Sequence, residues 1–174
     1  SLFCMVSTIS ATADCLTARF DMIINQILQP DRTLCQAPGS SKKRALENIA
    51  DFLEEVIDDI DSESIFERLT AREKLGSTAI GKGIAIPHCR CENITSTIGC
   101  LVKMKEPIEF DAPDNLPVDI LFVLLVPEEA TDKHLQTLAE LAELLDNSEL
   151  RNRLRKSQNN EELYLAATSF EKAA

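Results

Sequence analysis

From Val118 to Val126 the chain reads Val-Asp-Ile-Leu-Phe-Val-Leu-Leu-Val, with Asp119 as its one polar side chain. Successive side chains of a strand point to opposite faces, so a run that is apolar at both parities must be covered on both sides. The longest uninterrupted stretch, Ile120 to Pro127, falls far short of the roughly 20 residues that a membrane-spanning helix needs. It fits a strand buried between two layers. That choice limits the architecture, because apolar material must pack on each face of whatever sheet contains this strand.

Helices for those layers are legible on both sides of the run. Beyond the turn Pro38-Gly39-Ser40, apolar residues recur at Leu46, Ile49, Ala50, Leu53, Val56, Ile57 and Ile60, a helical period that Ser41 is suited to cap. A second helix follows Ser62, with Ile65, Phe66 and Leu69 on one side and Gly76 as its C-cap. After the apolar run, Thr131 or Asp132 caps a long helix whose stripe is Leu135, Leu138, Leu141, Ala142 and Leu145. Ser148 then caps a helix with Leu150 and Leu154 inward. Asn159 or Asn160 caps a last one with Leu163, Ala166, Ala167 and Phe170. Further strands are expected at Ile84-Ala85-Ile86-Pro87, which ends at a residue with no ladder donor, and at Thr97–Met104. Residues 22–30 read as a short strand or helix ending at Pro30. Alternating strands and helices predict an α/β fold, a mixed sheet sandwiched by helices on both faces.

The 174 residues suit one domain with one core, expected over residues 22–174. Residues 1–21 resemble a secretory leader only superficially. They lack a basic start, and Asp14, Arg19 and Asp21 interrupt them, so a poorly ordered tail ahead of Met22 is expected. The formal charge is −11. Such a surface repels nucleic-acid phosphates and favours encounter with a basic protein. Of six cysteines, Cys4, Cys15 and Cys35 lie in the N-terminal 35 residues, outside any evident core. A chain with 44% apolar residues does not need a disulfide framework, so reduced thiols in a cytoplasm are expected.

Gly76-Ser77-Thr78-Ala79-Ile80-Gly81-Lys82 nearly matches a phosphate-binding P-loop, but Gly83 stands where a magnesium-holding Ser or Thr belongs. The segment also runs into a strand rather than a helix. The glycines therefore read as turn formers. Only two histidines exist, His88 and His134. His88 stands just past a buried strand, where α/β folds place their ligands. His134 falls in the first turn of the long helix, where the positive helix end disfavours imidazolium. A neutral imidazole can attack phosphorus, and helix-start N–H groups and an arginine can hold the phosphoryl oxygens. Read without further context, a lone histidine after a strand is more often a hydrogen-bonded surface or core residue than a nucleophile, and a first-turn histidine is more often an ordinary one.

The segment Arg72-Glu73-Lys74-Leu75-Gly76-Ser77-Thr78-Ala79-Ile80-Gly81-Lys82-Gly83-Ile84-Ala85-Ile86-Pro87-His88 resembles the active-site signature of the mannitol, fructose and nitrogen group of enzyme IIA domains of the bacterial phosphotransferase system. Glu106–Ala112, Pro117–Phe122, Leu124–Pro127 and Thr131–Leu138 extend the likeness, which covers about residues 22–174. Ser41–Glu47 and the Asp111–Asn115 loop bring it nearest to the nitrogen type. The resemblance implies a mostly parallel sheet, phosphoryl acceptance on His88, phosphate binding or orientation by His134, and charge stabilisation by Arg72. It implies a cytoplasmic regulatory phosphocarrier with an HPr-like donor and regulated targets such as kinases or transporters. No cofactor, metal, nucleic acid or membrane insertion is expected. A sugar-specific IIA component passing phosphate to a IIB protein, or a binding module without phosphate chemistry, are the competing expectations.

The sequence departs from the pattern after the histidine, where Gly is common and this chain has Cys89, Arg90 and Cys91. The simplest expectation is two surface thiols. The alternative, a metal site built from His88, Cys89 and Cys91, lacks a distant fourth ligand.

Overall fold

In the computed structural model, which describes residues 23–170, the apolar run becomes the strand on which the sheet is organised. The elements are α1 (23–27), a single 3-10 turn (Pro30–Arg32), β1 (Thr33–Ala37), α2 (Lys42–Val56) and α3 (Ser62–Leu75). There follow β2 (Ala79–Gly81), β3 (Ile84–Ala85), β4 (His88–Cys91), β5 (Ile98–Ile108), β6 (Val118–Pro127), α4 (Lys133–Leu145), α5 (Ser148–Lys156) and α6 (Asn160–Thr168). The sheet order is β1-β5-β6-β3-β2, with β4 also paired to β6. β1 runs parallel to β5, and β3 and β4 run parallel to β6; the β5/β6 and β2/β3 pairs are antiparallel. The sheet is mixed and mostly parallel, as expected.

Alternation along β6 divides the interior in two. Leu121, Val123 and Leu125 face a core closed by Leu46, Ile49 and Leu53 of α2 and Ile65 and Leu69 of α3. Ile120, Phe122, Leu124 and Val126 face a second core closed by Leu141 and Leu145 of α4, Leu150 and Leu154 of α5, and Leu163 of α6. Burying each such side chain contributes about 1.5–3 kcal/mol, which is why the two apolar parities of one strand fix both layers. Gly99 on β5 permits the close approach of Phe122, since a Cβ there would stand 2.8 Å from its ring and 3.1 Å from Ile27 O.

Several boundaries differ from expectation for local reasons. α3 begins at Ser62 itself and is capped by Asp61, whose carboxylate accepts from Ser64 N at 3.0 Å. Asn147, not Ser148, caps α5 by accepting from Glu149 N and Leu150 N. Asn159 caps α6, accepting from Glu162 N. Asp132 occupies the cap position of α4, without a side-chain cap bond. β5 continues to Ile108, beyond Met104. β1 was not anticipated, and it buries Cys35 rather than leaving it outside the core. Pro87 does not end pairing. It lacks a donor, but its carbonyl accepts from Leu124 N at 2.9 Å, so β4 resumes the ladder on β6. The P-loop-like stretch is the β2–β3 hairpin, turned by Gly81, Lys82 and Gly83 at φ of 94°, 57° and 81°. The expected tail, residues 1–21, lies outside the described residues. No helix among the described residues is long and apolar enough to cross a membrane.

Candidate functional site

The site is assembled where α3 ends beside β4, a strand whose one pairing partner among the described residues is β6. α3 stops at Gly76, whose φ of 155° suits a residue without a side chain. Its last turn holds Arg72, placing a cation near the negative end of the helix. Arg72 Nη1 donates to Gly76 O at 2.9 Å, and its Nε donates to His88 Nε2 at 3.3 Å. The other ring nitrogen of His88, Nδ1, lies 2.8 Å from Ile86 O. A carbonyl can only accept, so Nδ1 carries the proton and Nε2 keeps a lone pair. Burial first, then the Arg72 charge, hold the His88 pKa below its ordinary value, against the opposing pull of the Ile86 bond and Glu73. The imidazole is therefore neutral near pH 7, with its free nitrogen turned toward a guanidinium.

Glu73, next to Arg72, is a participant that sequence reasoning did not single out. Its carboxylate is buried, pairs with Lys42 Nζ at 2.7 Å, and accepts from Thr78 N at 3.2 Å and from the Thr78 hydroxyl. Lys42 in turn lies over the Phe110 ring, 4.6 Å from its centroid. Ser77 Oγ donates to Phe110 O at 2.6 Å. This network ties the Ser77-Thr78 loop to α2 and α3 and so fixes the turn from which Arg72 reaches His88. The signal available in the sequence was an acidic residue inside the signature beside its arginine.

His134 is placed differently. Its Nδ1 lies 3.5 Å from Thr97 Oγ1, and burial with the Arg90 charge lowers its pKa. It lines a groove bounded by Ile23 and Ile27, the 92–97 loop and the start of α4, and neither His88 nor Arg72 belongs to that lining. The structure brings Arg72 to His88, whereas the His134 ring lies beside Thr97 and feels the Arg90 charge.

The two cysteines beside His88 are not surface thiols. Strand alternation turns Cys89 and Cys91 into the α2/α3 core, while His88 and Arg90 project to the opposite face. Burial pushes the Cys89 thiol up to about 12 and raises Cys91 as well. Ligands on opposite faces of one strand cannot converge on an ion, so the expected metal alternative lacks its geometry. No group of three or more potential metal ligands is clustered among the described residues.

The family described as "Phosphoenolpyruvate-dependent sugar phosphotransferase system, EIIA 2" matches residues 26–167. The chain belongs to this family. The relatives of this EIIA domain include a "Nitrogen regulatory protein" of Pseudomonas aeruginosa, 50% identical over 141 residues that cover 81% of this chain and 92% of that one. A "Nitrogen regulatory protein" of Escherichia coli (strain K12) is 42% identical over 156 residues, 89% of this chain and 93% of that one. The crystal structure of nitrogen regulatory protein IIA-Ntr from Neisseria meningitidis superposes on this EIIA domain with a TM-score of 0.76 at 38% identity, over 84% of this chain and 99% of that one. The Escherichia coli mannitol IIA crystal structure, 18% identical with a TM-score of 0.66 over 80% of this chain and 98% of that one, shares the fold.

Proposed function

We propose that the chain is a cytoplasmic regulatory phosphocarrier of the nitrogen branch of the phosphotransferase system, taking a phosphoryl group on His88 from an HPr-like carrier. The single observation that carries this reading is the His88 ring itself, which is neutral, fixed by Ile86 and presents Nε2 to Arg72. The membership in the EIIA family and the nitrogen regulatory relatives support the branch.

The Nε2 lone pair forms the new N–P bond as the bond between phosphorus and the donor's imidazole nitrogen breaks. The donor ring departs with that electron pair as a neutral imidazole. His88 keeps its Nδ1 proton on Ile86 O, so no net proton moves. Arg72 faces the phosphoryl oxygens as charge shifts onto them. His134 is assigned the orienting role. What supports it is a ring in the first turn of α4 whose pKa burial and the Arg90 charge hold below its ordinary value. The regulated partners are proteins such as kinases or transporters.

The test is phosphorylation by phosphoenolpyruvate, enzyme I and an HPr-like carrier. Wild-type protein should acquire one acid-labile phosphoryl group, and His88→Ala should acquire none. Equal labelling of His88→Ala would overturn the assignment. Onward transfer of the label to a IIB protein would favour a sugar-specific component over a regulator.

A further inference from the structure

Arg90 stands two residues after His88 on the same face of β4, about 6.6 Å further along the strand at ordinary strand rise. Its Nη1 donates to Glu128 O at 2.6 Å and to Ala130 O at 3.0 Å. Those carbonyls belong to the connection between β6 and α4, the segment that forms one wall of the groove also lined by Ile23, Ile27, Ile94 and His134. One guanidinium nitrogen thus pins the loop that sets where α4 begins. A second tie is weaker. Arg68 Nη1 reaches the exposed Glu128 carboxylate at 3.5 Å and also donates to Arg90 O at 3.1 Å.

We infer that Arg90 is a phosphorylation-sensitive latch, which holds the Glu128–Thr131 loop in the dephosphorylated protein and turns to the phosphoryl group when His88 is modified. The inference rests on the proposed role of His88. A phosphoryl group brings a charge of about −1.5 to −2 and three acceptor oxygens, more than Arg72 alone can surround. Arg90 is the other guanidinium on that strand face. Hydrogen bonds between ionised partners are about twice as strong as neutral ones, so exchanging two neutral carbonyls for phosphoryl oxygens favours the move. The exposed Arg68–Glu128 contact is too weak to keep the loop in place by itself. The released segment carries the exposed carboxylates Glu128 and Glu129, so the surface that changes is acidic and its reader is a basic segment of a regulated protein. Arg90 here is a positioning residue. It reports the state of His88 through the loop, and the N–P bond forms without it.

The experiment follows backbone amide signals of the full isotopically labelled chain before and after phosphorylation by the carrier cascade, in wild type, Arg90→Gln and Arg90→Lys. In wild type, the signals of Glu128 to Thr131 should move on phosphorylation together with those around His88. In Arg90→Gln they should already be displaced in the unmodified protein, and their response to phosphorylation should be lost although His88 still takes the label. Arg90→Lys, which keeps the charge but not the forked reach, should lose part of the response and serves if the glutamine variant does not fold. Loop signals that stay still in phosphorylated wild type, or move equally in every variant, would overturn the latch. Absence of label from wild type would instead remove the His88 reading on which it stands.

Discussion

The reactivity proposed for His88 rests on neighbours that each remove an alternative. Ile86 O fixes the tautomer, burial keeps the ring uncharged, and Arg72 faces the nitrogen that keeps its lone pair. Arg72→Ala should slow labelling by about 5- to 150-fold, corresponding to the roughly 1–3 kcal/mol of a lost charged hydrogen bond. Far-ultraviolet circular dichroism should stay unchanged. Arg72→Lys should recover part of the rate, because a point charge replaces a fork. The lowered His88 pKa also sets a pH response. Labelling should hold steady as pH falls through 6.5, the ordinary histidine value, and decline only at lower pH. Stability follows the same sign. Above pH 6.5 the ring is neutral in both folded and unfolded chains. Below it the unfolded chain takes up a proton that the folded one refuses, so the melting temperature should drop until folded His88 protonates in turn. His88 and Arg72 were legible from the signature. Their contact was not, since sixteen residues and a hairpin separate them. The burial of Cys89 and Cys91 was hidden for a related reason: β4 is too short and too close to a proline for its alternation to stand out.

Among the elements, α3 carries the most consequence, because its last turn is held by the buried Lys42–Glu73 pair. The two partners are unequally wet, Lys42 being 21% exposed and Glu73 5%. Lys42→Ala leaves a carboxylate stranded indoors and should cost about 3 kcal/mol in a denaturation experiment. Glu73→Gln should cost less, because Lys42 can turn to water or to Asp111, 3.7 Å away. The β2–β3 hairpin answers to sterics instead. At Gly83 a Cβ would stand 2.5 Å from Arg155 Nη2 and 2.7 Å from Asp119 Oδ1, at a φ of 81°. Gly83→Ala should therefore lower the melting temperature by breaking the Arg155–Asp119 pair, which bonds at 2.8 Å and 3.0 Å. The helices α2 to α6 were legible because nine to fifteen residues are enough to display a 3.6-residue period. β1 and β4 were missed because five and four residues show no period, and because their pairing partners lie more than thirty residues away. Asn147 displaced the adjacent Ser148 as cap, and Asp61 caps α3, since their amide and carboxylate oxygens reach the free N–H groups.

At the scale of the whole molecule, β6 divides the interior and the −11 charge dresses the exterior. The charge should be felt kinetically. Transfer of label from a basic carrier should slow as salt rises from low to physiological ionic strength, while the extent of labelling at equilibrium changes little. A rate indifferent to salt would mean that the donor meets an uncharged face. The division of the interior has a further use. Cys89, Cys91 and Cys100 all sit in the layer under α2 and α3, and burial pushes the Cys89 and Cys100 thiols up to about 12. Sealed and protonated, Cys89 and Cys100 are silent toward alkylating reagents until that layer parts from the sheet. The slow reaction of these sulfurs with iodoacetamide would thus time how often the wall behind His88 breathes, with no probe added to the chain.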